Sequence, residues 1–104
     1  MTTDYVMACA IDDLEVNTTK LVEIDGKLVL LANDEGTIHA LSGYCTHDGQ
    51  MLDGEEVHDG QVECTRHGAM FDVQTGDVTQ MPAVTGLKKY SVKVDEGMIL
   101  VAIE

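Results

Sequence analysis

Apolar residues along this chain come in short bursts that alternate with polar positions at a period of two, broken by tight-turn dipeptides. The turn signals are Asp25-Gly26, Glu35-Gly36, Asp53-Gly54, Asp59-Gly60, Thr75-Gly76 and Glu96-Gly97. Between them, stretches rich in β-branched residues predict strands over Tyr5–Ile11, Thr19–Ile24, Lys27–Asn33, Thr37–Ser42, Gln61–Cys64, Met70–Val73, Leu87–Asp95 and Met98–Ile103. Alternation is clearest after Lys88, where Tyr90, Val92 and Val94 share one face and Lys89, Ser91 and Lys93 the other. No window of helical length carries an apolar stripe of period 3.6. Closely spaced strands joined by tight turns imply an all-β chain, an antiparallel sandwich or small barrel.

Two stretches break this rhythm. From Gly43 to Gly60 the chain is dominated by Gly, Asp, Glu and His, and Thr65 to Ala69 is a second irregular piece. Loops held near one another by strands would form a site at one end of the domain. With 104 residues and no linker, repeat or low-complexity segment, residues 1–104 are expected to form one domain with a small core. A bound metal centre would help to hold such a domain together. Aromatics are few (one Phe, three Tyr, no Trp), so the six methionines are expected to help fill the core.

Charge narrows the function classes. A formal net charge of −13, from 19 acidic against six basic residues, argues against nucleic acid, whose phosphates need clustered Lys and Arg. It argues equally against an anionic membrane surface. It favours steering toward basic protein surfaces, or simply a solvated acidic face. Within 45–77 eight acidic residues are opposed by Arg66 alone. The N-terminus shows no basic run or long apolar stretch, and the longest apolar runs are too short to span a bilayer, so a cytoplasmic location is expected.

The two irregular stretches contain Cys45-Thr46-His47 and Cys64-Thr65-Arg66-His67, a C-x-H and a C-x-x-H separated by sixteen residues. Each pair offers one thiolate and one imidazole, followed closely by Gly49 or Gly68, where the backbone can turn tightly toward an anionic centre. Zinc fingers usually pair Cys with Cys and His with His. Mixed pairs suit a binuclear iron–sulfur rhomb clasped between two loops, with a mononuclear zinc site as the rival.

These motifs resemble the signature of Rieske [2Fe–2S] proteins. The resemblance extends to Phe71-Asp72-Val73-Gln74-Thr75-Gly76, to Pro82-Ala83 and to the closing hairpin, nearly the whole chain. It implies one [2Fe–2S] cluster held by loops at about 43–50 and 64–69, with Cys45 and Cys64 on one iron and His47 and His67 on the other. Respiratory members carry an extra disulfide-forming cysteine in each loop. The matching positions here fall at Gly49 or its neighbours and at Arg66. They also carry a serine and a tyrosine after the second motif, where this chain has Ala69 and Phe71. Fewer hydroxyl donors to sulfur lower the potential, toward about −150 mV at the low end of the Rieske range.

The similarity is greatest to the ferredoxins of bacterial aromatic-ring dioxygenase systems. It implies an electron carrier between an NAD(P)H-dependent flavin reductase and a terminal oxygenase; no nucleophile or base marks a catalytic role of its own, and a monomer is expected. The small subunit of an assimilatory nitrite reductase is the alternative, and a non-redox zinc or interaction module the third reading. Cys9 is expected to be a buried packing thiol, and His39 and His58 ordinary surface or half-buried residues. Met81 is a candidate shield for the cluster, and Arg66 pairs with a carboxylate or faces a partner.

Overall fold

A computed structural model describes residues 5–44, 56–64, 69–80 and 86–102. Nine strands are present in them: β1 Tyr5–Ala10, β2 Thr19–Ile24, β3 Lys27–Asp34, β4 Thr37–Ser42, β5 Gln61–Cys64, β6 Ala69–Asp72, β7 Val78–Gln80, β8 Lys89–Asp95 and β9 Met98–Ala102. A single 3-10 turn, Ile11–Asp13, follows β1. The strands form a six-stranded sheet in the order β1-β9-β8-β4-β3-β2 and a three-stranded sheet in the order β5-β6-β7, and every pairing is antiparallel. The edge strands β1 and β2 approach one another, so the large sheet curls toward a barrel. Among the described residues no helix is long and apolar enough to cross a membrane.

The turn dipeptides act as expected. Ile24 pairs with Lys27, Asp34 with Thr37 and Asp95 with Met98, which closes two-residue hairpins at Asp25-Gly26, Glu35-Gly36 and Glu96-Gly97. Both central residues of each have positive φ, as the right-handed twist of a hairpin demands.

β3 explains why Leu28 to Ala32 shows no alternation. Val29 and Leu31 pack with Leu14, Ile24, Ala40, Ile99 and Val101 inside the large sheet. Leu30 and Ala32 face the other way, packing with Leu41, Val57, Val62, Ala69, Phe71, Val73 and Leu87 between the two sheets. A strand buried on both faces must be apolar throughout. The second of these clusters seats the small sheet on the large one, and its area is chiefly aliphatic around one Phe.

Several boundaries differ from expectation, each for a local reason. β7 is missed by pattern, because Val78–Gln80 is short and polar and its apolar side chain, Val78, is only partly buried. Leu87 lies outside β8, its N–H donating to the Gly76 carbonyl at 2.7 Å while its side chain is buried. β6 starts at Ala69 because Ala69 pairs with Cys64, and Val73 belongs to the following turn. The methionines do not fill the core among the described residues: Met7 is exposed at 61%, and Met70 and Met98 are partly buried. Leu, Val and Ile stacked from both sheets supply that volume instead.

Candidate functional site

The second motif grows from a hairpin. β5 and β6 pair in the register Gln61–Asp72, Val62–Phe71, Glu63–Met70 and Cys64–Ala69, so Cys64 ends one arm and Ala69 begins the other. Val62, Ala69 and Phe71 are fully buried against the large sheet, which anchors both arms close to the motif. The far end is tied by an Asx turn: Asp72 Oδ1 accepts from the Gln74 N–H at 2.8 Å and the Thr75 N–H at 3.3 Å. The Gly76 N–H donates to the Asp72 carbonyl at 2.7 Å and the Asp72 N–H to the Asp77 carbonyl at 2.8 Å. The quoted run from Phe71 to Gly76 is therefore a strand end and its turn.

The first motif departs from β4. Ser42 donates to the Lys88 carbonyl at 2.8 Å, and the buried Gly43 donates to the Leu28 carbonyl at 2.9 Å. A Cβ at Gly43 would stand 2.9 Å from side-chain atoms of both Leu21 and Leu28, so the chain passes here with no room to spare. Tyr44 follows, 44% exposed, immediately before Cys45. Leu41, four residues before Cys45, packs in the same apolar cluster as Val62 and Ala69. Both strands that lead to the motifs are thus fixed by one cluster.

Of the expected ligands, Cys64 is placed by its backbone at the end of β5. Cys45, His47 and His67 lie outside the described residues, as do Gly49, Arg66, Gly68, Met81, Pro82 and Ala83. Among the described residues no three His, Cys, Asp or Glu side chains are grouped to hold a metal ion. Cys9 and His58 are therefore not part of a described metal cluster. The donor set of the two motifs, two thiolates and two imidazoles, fits a Rieske cluster and needs no further ligand. Ala69 and Phe71 offer no hydroxyl to it.

The remaining candidates fall differently. His58 is exposed and pairs with Glu56 at 3.3 Å. Cys9 is half-buried rather than buried, packed beside the apolar cluster of the large sheet. Burial pushes its thiol pKa up, Asp13 adds to the rise and Lys20 opposes it. His39 is not a surface residue: it is 9% exposed, with Lys89 Nζ 3.4 Å from its Nδ1. Burial first, then the Lys89 charge, lower its pKa below the ordinary value, while Asp34 and Asp72 pull the other way. Sequence reasoning missed Lys89, because a lysine in an alternating strand reads as a solvent-facing residue. A hollow of about 620 Å³, lined in part by Asp34, Glu35, Asp59 and Asp72, opens at the Gln61–Asp72 end of the hairpin, away from Cys64.

Residues 4–91 match the Rieske [2Fe-2S] domain family. The human apoptosis-inducing factor 3 is 37% identical over 89% of this chain, and the chain spans only 15% of that protein's length. The ferredoxin component of the naphthalene 1,2-dioxygenase/salicylate 5-hydroxylase systems of a Ralstonia species is 29% identical over the full length of both. The solved ferredoxin of carbazole 1,9a-dioxygenase from Nocardioides aromaticivorans IC177 is 32% identical with a TM-score of 0.91, covering 98% of this chain and all of that one. A candidate nitrite reductase small subunit from Mycobacterium tuberculosis shares the fold at 24% identity and a TM-score of 0.84, over 100% of this chain and 98% of that one. Fold alone does not separate the two classes.

Proposed function

This chain belongs to the Rieske [2Fe-2S] domain family, and on that premise we propose that it passes single electrons from an NAD(P)H-dependent flavin reductase to the terminal oxygenase of an aromatic-ring dioxygenase system. The observation that carries the reading is the likeness to a dioxygenase ferredoxin over the whole of both chains, together with both halves of the Cys/His motif. Cys45 and Cys64 hold one iron and His47 and His67 the other, in loops at about 43–50 and 64–69 of a single domain spanning 1–104. When bound, the cluster supplies a one-electron couple. The protein's part is to fix the strand ends that lead to the ligands and to withhold hydroxyl donors at Ala69 and Phe71, which keeps the potential low. The carrier does no catalysis of its own and acts as a cytoplasmic monomer. The net charge of −13 favours docking on basic partner surfaces, weak and salt-sensitive as transient redox encounters are.

The test is EPR of the anaerobically purified, dithionite-reduced protein, with a redox titration. A rhombic S = ½ signal with average g below that of four-cysteine clusters, and a potential of about −150 mV, is expected. A colourless, EPR-silent protein with bound zinc would overturn the reading, and a potential above zero would overturn the argument from missing donors.

A further inference from the structure

The small sheet rests on the large one through apolar side chains and a few polar ties, and one of those ties can change its charge. Lys89 sits on β8, paired with Leu41 of β4. Its ammonium reaches out of the large sheet and donates to the Gln74 carbonyl, in the turn that joins β6 to β7. The same Nζ lies 3.4 Å from Nδ1 of the buried His39 on β4. One cation therefore touches an imidazole of the large sheet and a carbonyl of the small, motif-bearing one. Next to it the Leu87 N–H meets the Gly76 carbonyl, so backbone and side chain tie the same turn.

We propose that Lys89 is a positioning residue for the cluster-bearing hairpin, and that His39, as the acceptor of its ammonium, makes that tie depend on protonation. This rests on the electron-carrier reading only for its effect on the cluster. Neutral His39 can accept at Nδ1, whereas a protonated ring has no acceptor and repels the ammonium. Facing His39 are Lys89 from β8, Asp34 from the end of β3 and Asp72 from the end of β6. The two carboxylates favour the imidazolium, and burial and Lys89 oppose it, with the opposition prevailing. An imidazole with a lower pKa folded than unfolded binds fewer protons when folded. Its contribution to stability is therefore complete above the unfolded value near 6.5 and is lost as pH falls toward the folded value.

The experiment compares the holoprotein with Lys89→Met, Lys89→Arg and His39→Gln, recording reduction potential and melting midpoint from about pH 5 to 8, around the ordinary histidine pKa. Wild type is expected to show a step below the ordinary histidine pKa in both profiles. His39→Gln, which keeps an acceptor and cannot titrate, loses the step. Lys89→Met moves the step to higher pH, because the ammonium that opposed protonation is gone, and Lys89→Arg leaves it in place. A step that stays put in Lys89→Met, or persists in His39→Gln, overturns the proposal, as does its absence from wild type. Should the EPR signal of a Rieske cluster be missing, the carrier reading fails, and the melting profiles of the same four proteins still decide whether the tie exists.

Discussion

Replacing Gly76 by alanine isolates a close backbone approach between the turn that follows β6 and the segment that leads into β8. Gly76 has φ +83, and a Cβ there would stand 2.2 Å from the Leu87 carbonyl oxygen, a backbone atom that no rotamer change can remove. Gly97, with φ +76 and nothing within 4 Å of its ideal Cβ, provides the control. Gly97→Ala should cost only the left-handed backbone term, about 1–2 kcal/mol. Gly76→Ala carries the same term and in addition pushes Leu87 away. That breaks the 2.7 Å bond from its N–H to the Gly76 carbonyl, worth about 1 kcal/mol. It also uncovers part of a side chain now 5% exposed, at roughly another 1 kcal/mol of the 1.5–3 a buried leucine contributes. The difference between the two variants is then about 2 kcal/mol, or roughly 8–16 °C in melting midpoint for a domain of this size. The assay is thermal melting of wild type and both variants at one scan rate, followed by circular dichroism and by visible absorption. If Gly76→Ala melts within about 3 °C of Gly97→Ala, a gap well short of that range, the close approach is not holding the sheets together.

Two further outcomes follow from burial. Phe71 is fully buried between the sheets, so Phe71→Ala is expected to lose about 3–5 kcal/mol in urea titration, and an unchanged midpoint would mean the small sheet does not depend on that cluster. In the folded holoprotein, Cys9 should react with iodoacetamide more slowly than a free thiol at the same pH, because burial, which outweighs the pull of Lys20 and is helped slightly by Asp13, holds it protonated. Peptide mass spectrometry reads the labelling, and labelling at the free-thiol rate would contradict that environment.

Much of the fold was legible because its strands obey local rules. Thr19–Ile24, Thr37–Ser42 and Gln61–Cys64 have the bounds expected from pattern, since each ends at a turn dipeptide or at a motif loop. β7 was not legible: three residues of mixed polarity carry no period, and their pairing with β6 through a bulge is decided by tertiary packing. Val94 shows a related limit, since it sits on the apolar face of β8 and is nonetheless 49% exposed, near the end of the sheet where little covers it. The two Cys/His motifs stand out in the sequence because cluster chemistry demands specific residues at fixed spacing, independent of packing; of their four expected ligands only the backbone of Cys64 lies among the described residues. His39 and Lys89 carried no such mark. Their pairing joins positions fifty residues apart, and only the adjacency of β4 and β8 brings them together.

The pairing of β1 with β9 has a consequence for how this unit can be used in larger proteins. Tyr5 lies opposite Ala102, so the chain enters and leaves the large sheet side by side, within the roughly 5 Å that separates antiparallel neighbours. The hairpin that bears the second motif belongs to the other sheet. A unit wired in this way can be extended from either strand without crossing the hairpin that ends at Cys64. That geometry is compatible with both kinds of relative this chain matches, one over its full length and one of which it spans only 15%.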